Sequence, residues 1–76
     1  MFRYPQIDSK QTGERIRSLC KEQHISVDDL MENLHVGSNQ AIYNWFNGKC
    51  FPSIEVFHAL ATLLNVTMDD LIVLKK

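Results

Sequence analysis

Ser38, Asn39, Gln40, Tyr43 and Asn44 crowd into one short stretch, and from Asn33 to Ile54 the chain contains no Asp or Glu, with Lys49 its one charged residue. Asn and Gln carry a donor and an acceptor on a single amide, the arrangement that pairs with an adenine edge at two points, and a Ser hydroxyl can serve as either partner. Tyr43 can donate to a phosphate or lie against a thymine methyl. No carboxylate in the window repels a polyanion. For such side chains to act together they must share one face of a rigid element. Ala41, Ile42 and Trp45 supply the opposite, apolar face at helical spacing, so a helix over 38–46 turns Asn39, Gln40, Tyr43 and Asn44 outward. Each residue also has a plainer role. Ser38 is first a helix cap, amides on a surface helix are commonly just solvated, and Tyr43 can rest on a neighbouring helix.

The rest of the chain reads as helices with starts and stops. Ser9 or Thr12 caps a first helix over 9–23, with Ile16, Leu19 and Cys20 on one face. Ser26 followed by Asp29 is a capping box opening a second helix over 26–34, whose apolar stripe is Val27, Leu30, Met31 and Leu34. His35, Val36 and Gly37 end it. Asn47 and Gly48 stop the third helix, since both tolerate positive φ. Ser53 caps a fourth over 53–64 carrying Ile54, Phe57, Leu60, Ala61 and Leu64, and Asn65 closes it. Thr67 and Asp70 form a second capping box for a fifth over 67–73. No strand-like alternation, repeat or low-complexity tract appears. Residues 1–8 form an N-terminal arm, extended or disordered, and 9–74 the domain. The expected fold class is therefore all-α, five short helices in one globule.

Composition narrows the functional classes. Seventy-six residues, 45% of them hydrophobic, make one small globular domain. No apolar run approaches the roughly 18 residues that span a bilayer, and a cytoplasmic location is expected, with no membrane partner. Cys20 and Cys50 read as reduced thiols. The histidines His24, His35 and His58 share no ligand spacing with each other or with either cysteine, so neither a metal nor another cofactor is expected. No nucleophile–base pair or Gly-rich phosphate loop appears, and TGE at 12–14 is not one, so the protein is not read as an enzyme. The formal net charge of −1 disfavours DNA as a sum. Its distribution does not. Arg3, Lys10, Arg15, Arg17 and Lys21 outnumber Asp8 and Glu14 in the first 21 residues, and the remaining carboxylates gather at 22–32 and beyond 54.

The segments TGERIRSL (12–19), ISVDDLMENL (25–34), QAIYNWFNGK (40–49), Pro52-Ser53 and LATLLNVTMDDL (60–71) together resemble the lambda-repressor-like or Cro-type helix-turn-helix domains of the XRE class. The ordered set of Ile42, Trp45, Gly48, Lys49, Pro52 and Ser53 is specific, and the likeness spans nearly everything from Thr12 to Val73. It looks like the small stand-alone regulators of bacteria and mobile elements. The resemblance implies five helices, the second and third forming the DNA-binding unit, with dimers reading paired half-sites. Three positions depart from the pattern. Val27 stands where members carry a phosphate-contacting Gln. His35 stands where the interhelix turn has Gly, and that turn is one residue longer. Cys20 and Phe46 replace an Arg–Glu pair, which predicts an apolar contact between them in place of two buried charges.

The function expected on these grounds is sequence-specific binding of double-stranded DNA by a transcriptional regulator, a repressor, through the major groove. Ser38, Asn39, Gln40, Tyr43 and Asn44 read bases; Ser26, Asn47 and Lys49 meet phosphates. Homodimerisation is expected through Leu71, Ile72, Val73 and Leu74, through the arm, or through both, although either can instead pack within the chain. The competing reading is a protein-interaction module of the same fold that has lost DNA binding.

Overall fold

A computed structural model describes residue 2 and residues 4–75; Arg3, counted above among the cations of the arm, lies outside the described residues. The element order is α1 (Ser9–Glu22), α2 (Val27–Leu34), α3 (Asn39–Phe46), α4 (Ile54–Leu63) and α5 (Met68–Leu71). The fold is all-α, and the only strand-like feature among the described residues is an isolated antiparallel bridge between Ile7 and Leu74.

Each helix begins on a side-chain cap that satisfies a backbone N–H left without an intrahelical partner. Ser26 with Asp29, and Thr67 with Asp70, form reciprocal capping boxes, with all four bonds at 3.0–3.1 Å. Ser38 accepts from the Gln40 N–H at 3.1 Å and Ser53 from that of Val56 at 3.4 Å. The first helix departs from expectation. Its cap is Asp8, whose Oδ1 accepts from the Gln11 N–H at 3.0 Å, and not Ser9 or Thr12. Thr12 lies a full turn inside the helix and is completely buried. Its hydroxyl accepts from the Val73 N–H at 3.0 Å, a contact across the fold that local reading does not reveal.

The helix ends follow a common geometry. After α1, α3 and α4 the chain passes through a left-handed residue (His24 at φ 58°, Gly48 at φ 76°, Asn65 at φ 58°). In each case the N–H of that residue and of the next turn back onto the last carbonyls, as in Gly48 N–H to Trp45 O at 3.1 Å and Lys49 N–H to Asn44 O at 2.9 Å. His35, closing α2, is left-handed too at φ 54°. Gly37 has open space around it, so the freedom of the α2–α3 turn is used at His35 and not at the glycine.

Ile16, Leu30, Ile42, Leu60, Leu64 and Leu71 are almost wholly buried and tie all five helices to one core. α5 is shorter than the expected 67–73, because the chain leaves it at Ile72 in an extended conformation. Residues 73–75 then run antiparallel to the arm, with Asp8 N–H to Val73 O at 2.7 Å and Lys75 N–H to Gln6 O at 2.8 Å. Arm and tail therefore pair within the chain. Leu71, expected at a dimer surface, is instead fully buried.

Two glycines fix the α1–α3 seam. A Cβ on Gly13 would collide with the carbonyl oxygens of Trp45 and Phe46 at the end of α3. One on Gly48 would lie 2.7 Å from the Lys10 backbone, at a φ that side chains rarely adopt. Gly→Ala inside a helix ordinarily stabilises by about 0.5–1 kcal/mol. Gly13→Ala reverses that sign, because the obstacle is backbone and cannot rotate away; we expect a net loss of about 2 kcal/mol, read as a lower urea midpoint.

The capping boxes add a pH dependence. Hydrogen bonds from Ser26 hold the Asp29 carboxyl below its ordinary range, and those from Thr67, with a smaller contribution from Arg15, do the same for Asp70. A carboxyl with a depressed folded-state pKa stabilises the fold above its unfolded pKa of about 3.9 and loses that contribution as the pH falls through the folded value. The thermal midpoint should thus fall on acidification below about pH 4. The double variant Asp29→Asn/Asp70→Asn should start lower at neutral pH and fall less.

Candidate nucleic-acid interface

α3 is anchored from its inner side. Ile42 is 0% and Trp45 7% exposed, and Phe46 is buried with them. Ala41, expected to point inward, is half-buried. With those positions turned to the core, the helical period puts Ser38, Asn39, Gln40 and Tyr43 at the exposed surface, while Asn44 is half-buried. The Gln40 Nε2 donates to Asn44 Oδ1 at 3.0 Å, so two amides one turn apart form a linked pair on the outer face. Gln40 keeps its carbonyl oxygen and one N–H free of that bond, which are the groups a bidentate contact needs. Tyr43 is 42% exposed and meets Phe46 edge to face, with ring centroids 6.2 Å apart, and this contact steadies its phenol at the edge of the helix.

The residues expected at phosphates are all exposed, but they do not lie together in sequence or on one helix. Ser26 caps α2, and its oxygen already accepts from the Asp29 N–H, leaving its own proton to donate. Asn47 and Lys49 flank Gly48 in the turn after α3, where the Lys10 backbone abuts Gly48. Lys49 is thus the charged residue of the turn itself, and the start of α1 packs against it through backbone.

An open cleft runs between α1, the start of α2 and the outer edge of α3. Arg17, Lys21, Ser26 and Tyr43 form its rim, and Cys20, Ile25, Val27 and Phe46 its floor. The Arg17 guanidinium carbon lies 5.9 Å from the centre of the Phe46 ring, within cation–π range. Arg17 and Lys21 were not among the residues singled out from sequence. Sequence shows only that they stand one helical turn apart on α1; their place beside α3 follows from the approach at Gly13, which has no local signal.

Cys20 and Phe46, expected to meet where related domains pair two charges, belong to the same core and wall the same cleft. Burial pushes the Cys20 thiol up to about 11, which keeps it protonated at neutral pH. Cys50 is exposed, and both thiols are free. No three His, Cys, Asp or Glu side chains converge on a metal-sized site among the described residues. Among the described residues no helix is long and apolar enough to cross a membrane.

Residues 15–76 match the Cro/C1-type HTH DNA-binding domain, and the chain belongs to that family. Two solved structures share its fold. The restriction-modification controller protein C.AhdI from Aeromonas hydrophila superposes with a TM-score of 0.74 at 22% identity, covering 84% of this chain and 96% of that one. The DNA-binding domain of BldD superposes with a TM-score of 0.70 at 18% identity, covering 86% and 93%. No curated protein matches the sequence significantly. At 22% and 18% identity the likeness is one of fold, and the side chains on α2 and α3 are this chain's own.

The buried and exposed thiols give a direct check on the packing of α1 against α3. At pH 8 the folded protein should react with a thiol reagent at one site, Cys50, within minutes. The second equivalent, from Cys20, should appear only on unfolding. Two fast equivalents would mean that Cys20 is open to solvent.

Proposed function

We propose that the protein is a transcriptional repressor that binds a specific duplex sequence by laying α3 in the major groove. The observation that carries this is the two-sided character of α3. Its inner face is sealed by Ile42 and Trp45, and its outer face offers Asn39, Gln40, Tyr43 and Asn44 with no carboxylate from Asn33 to Ile54. Asn39, Gln40, Asn44, Tyr43 and Ser38 read base edges. Ser26, Asn47 and Lys49 hold the flanking phosphates and set the register. The protein is in this reading a binding module and performs no catalysis; it represses by occupying DNA that the transcription machinery needs.

Membership of the Cro/C1-type family supports the DNA ligand. The segregation of charge answers the objection raised by the net charge of −1, since a duplex meets one face of a protein and not its average. Binding as a homodimer would set two half-sites about 34–36 Å apart, one helical turn of DNA. With Leu71 in the core, the large apolar side chains open to a second copy among the described residues include Phe2 and Tyr4 of the arm, Ile7 and Leu74 at the arm–tail pair, and Phe51 and Ile54 before and at the start of α4.

Selection of bound sequences from a random duplex pool tests the proposal and yields the site for quantitative work. The selected sequences should contain two inverted half-sites. On that site, Asn39→Ala and Gln40→Ala should each lose about 1–3 kcal/mol and relax the preference at one base pair, whereas Lys49→Ala should weaken all sequences alike. Equal losses on every sequence from all three variants would remove α3 from base reading. Failure of the wild-type chain to bind any duplex at low salt would favour the interaction-module reading.

A further inference from the structure

We propose that Gln40 and Asn44 read DNA as one unit of fixed polarity. Asn44 holds the Gln40 amide so that it takes adenine and rejects guanine, and Asn44 itself, left with donors, takes guanine. The proposal rests on the reading of α3 as the helix that meets base edges. It assigns the bases, and it makes Asn44 a positioning residue for Gln40 as well as a reader.

The bond from Gln40 Nε2 to Asn44 Oδ1, at 3.0 Å, removes a choice. A free glutamine amide is ambivalent in the major groove. It pairs with adenine through its oxygen and one N–H, or it presents both N–H groups to the neighbouring acceptors O6 and N7 of guanine. With one N–H committed to Asn44, the first option is left: Oε1 accepts from adenine N6 and the second N–H donates to N7. Against guanine, Oε1 would face O6, acceptor against acceptor. The bond inside α3 thus supplies rejection as well as recognition. Asn44 is the complement. Its oxygen is turned to Gln40, and its Nδ2 takes no part in that bond, so two N–H groups are presented to the acceptor pair of guanine.

The pair is held from both ends. Ser38 Oγ accepts the Gln40 backbone N–H at 3.1 Å, so Gln40 is tied through main chain and side chain alike. Asn44 is half-buried, and its carbonyl accepts the Lys49 N–H at 2.9 Å, which ties it to the turn at Gly48. The helix field favours the same polarity. Gln40, in the first turn of α3, keeps its oxygen near the positive end, and Asn44, in the last turn, keeps its N–H groups near the negative end. No Asp or Glu from Asn33 to Ile54 competes as a stronger acceptor for the Gln40 amide. A single amide bond of this spacing adds little to helix stability. Its effect is that the Gln40 rotamer is chosen before DNA arrives, which lowers the cost of ordering it on binding. Four residues of helix rise about 6 Å against about 3.4 Å per base step, so the guanine should lie within about two base pairs of the adenine.

The test takes the sequence that the full-length chain selects from a random duplex pool and substitutes each base pair in turn in competition binding, with folding of every variant checked by circular dichroism. Gln40→Ala locates the Gln40 base pair as the one that loses its preference, and Asn44→Asp locates the other. Wild type should prefer adenine over guanine at the first and guanine over adenine at the second, each by about tenfold. Asn44→Ala should lower the adenine preference at the Gln40 pair by about threefold or more, and the Gln40→Ala/Asn44→Ala cycle should be non-additive there. Asn44→Asp keeps an acceptor for Gln40 but no donor of its own. It should retain adenine at the Gln40 pair and lose guanine at the second, at lower overall affinity, a split that a merely structural role for Asn44 would not produce. If Asn44→Ala fails to fold, Asn44→Leu, which keeps the bulk and removes the acceptor, measures the coupling. If neither folds, the wild-type preference at the Gln40 pair decides. Guanine at the Gln40 pair, or an adenine preference there that the Ala and Leu variants leave unchanged, overturns the coupled unit and leaves the α3 reading standing. An equal loss from Gln40→Ala on every sequence overturns both, as does no wild-type binding to any duplex at low salt.

Discussion

The backbone of α1 at Gly13 lies directly against the last carbonyls of α3, and the placement of α3 follows from that contact. Helix axes can approach this closely only where a side chain is missing, and the carbonyl oxygens of Trp45 and Phe46 occupy the space a Cβ would need. Gly48 repeats the constraint just past the end of α3, where the chain must turn left-handed and pass the Lys10 backbone. Trp45 and Phe46 then fill the core from the same turn of helix. Because interiors are close-packed, a shift of one element moves its neighbours instead of being absorbed. The orientation of Gln40 and Asn44 is thus set from the far side of the helix, by Ile42, Trp45 and Phe46 in the core.

The charges of this weakly acidic chain are unevenly placed along it, with no Asp or Glu from Asn33 to Ile54. Three of the nine acidic residues, Asp8, Asp29 and Asp70, each cap or close a capping box, where a negative charge also favours the helix N-terminus. α3 and α4 are capped by the neutral Ser38 and Ser53 instead, and the acid-free stretch ends at Glu55 in the first turn of α4. The Arg17 guanidinium stands over the Phe46 ring at the α1–α3 seam.

The two chain ends form a second, smaller constraint. The completely buried Thr12 takes the Val73 N–H, and the arm and tail share backbone bonds on either side of it. A buried hydroxyl without a partner would be costly, so Thr12 and the tail depend on each other. This uses up backbone groups that would otherwise form an exposed edge, and it leaves Ile7 and Leu74 as apolar side chains on the outer side of the pair.

Local sequence determined the helices and most of their boundaries. Capping boxes such as Ser26 with Asp29, the Asn47-Gly48 stop and the inward spacing of Ile42 and Trp45 depend on residues within four positions of each other, so their physics is written in short windows. The same locality made the polar face of α3 legible, since helical period alone turns Asn39, Gln40 and Tyr43 away from the core. Tertiary structure decided what depends on distant partners. Thr12 reads as a cap until Val73 arrives to bond it, and Leu71 reads as open surface until the five helices enclose it. Arg17 and Lys21 read as ordinary exposed cations until the approach at Gly13 brings them beside α3. Contacts between residues tens of positions apart carry no short-range signature, and in this chain they choose which of its locally equivalent polar and charged groups stand around one cleft.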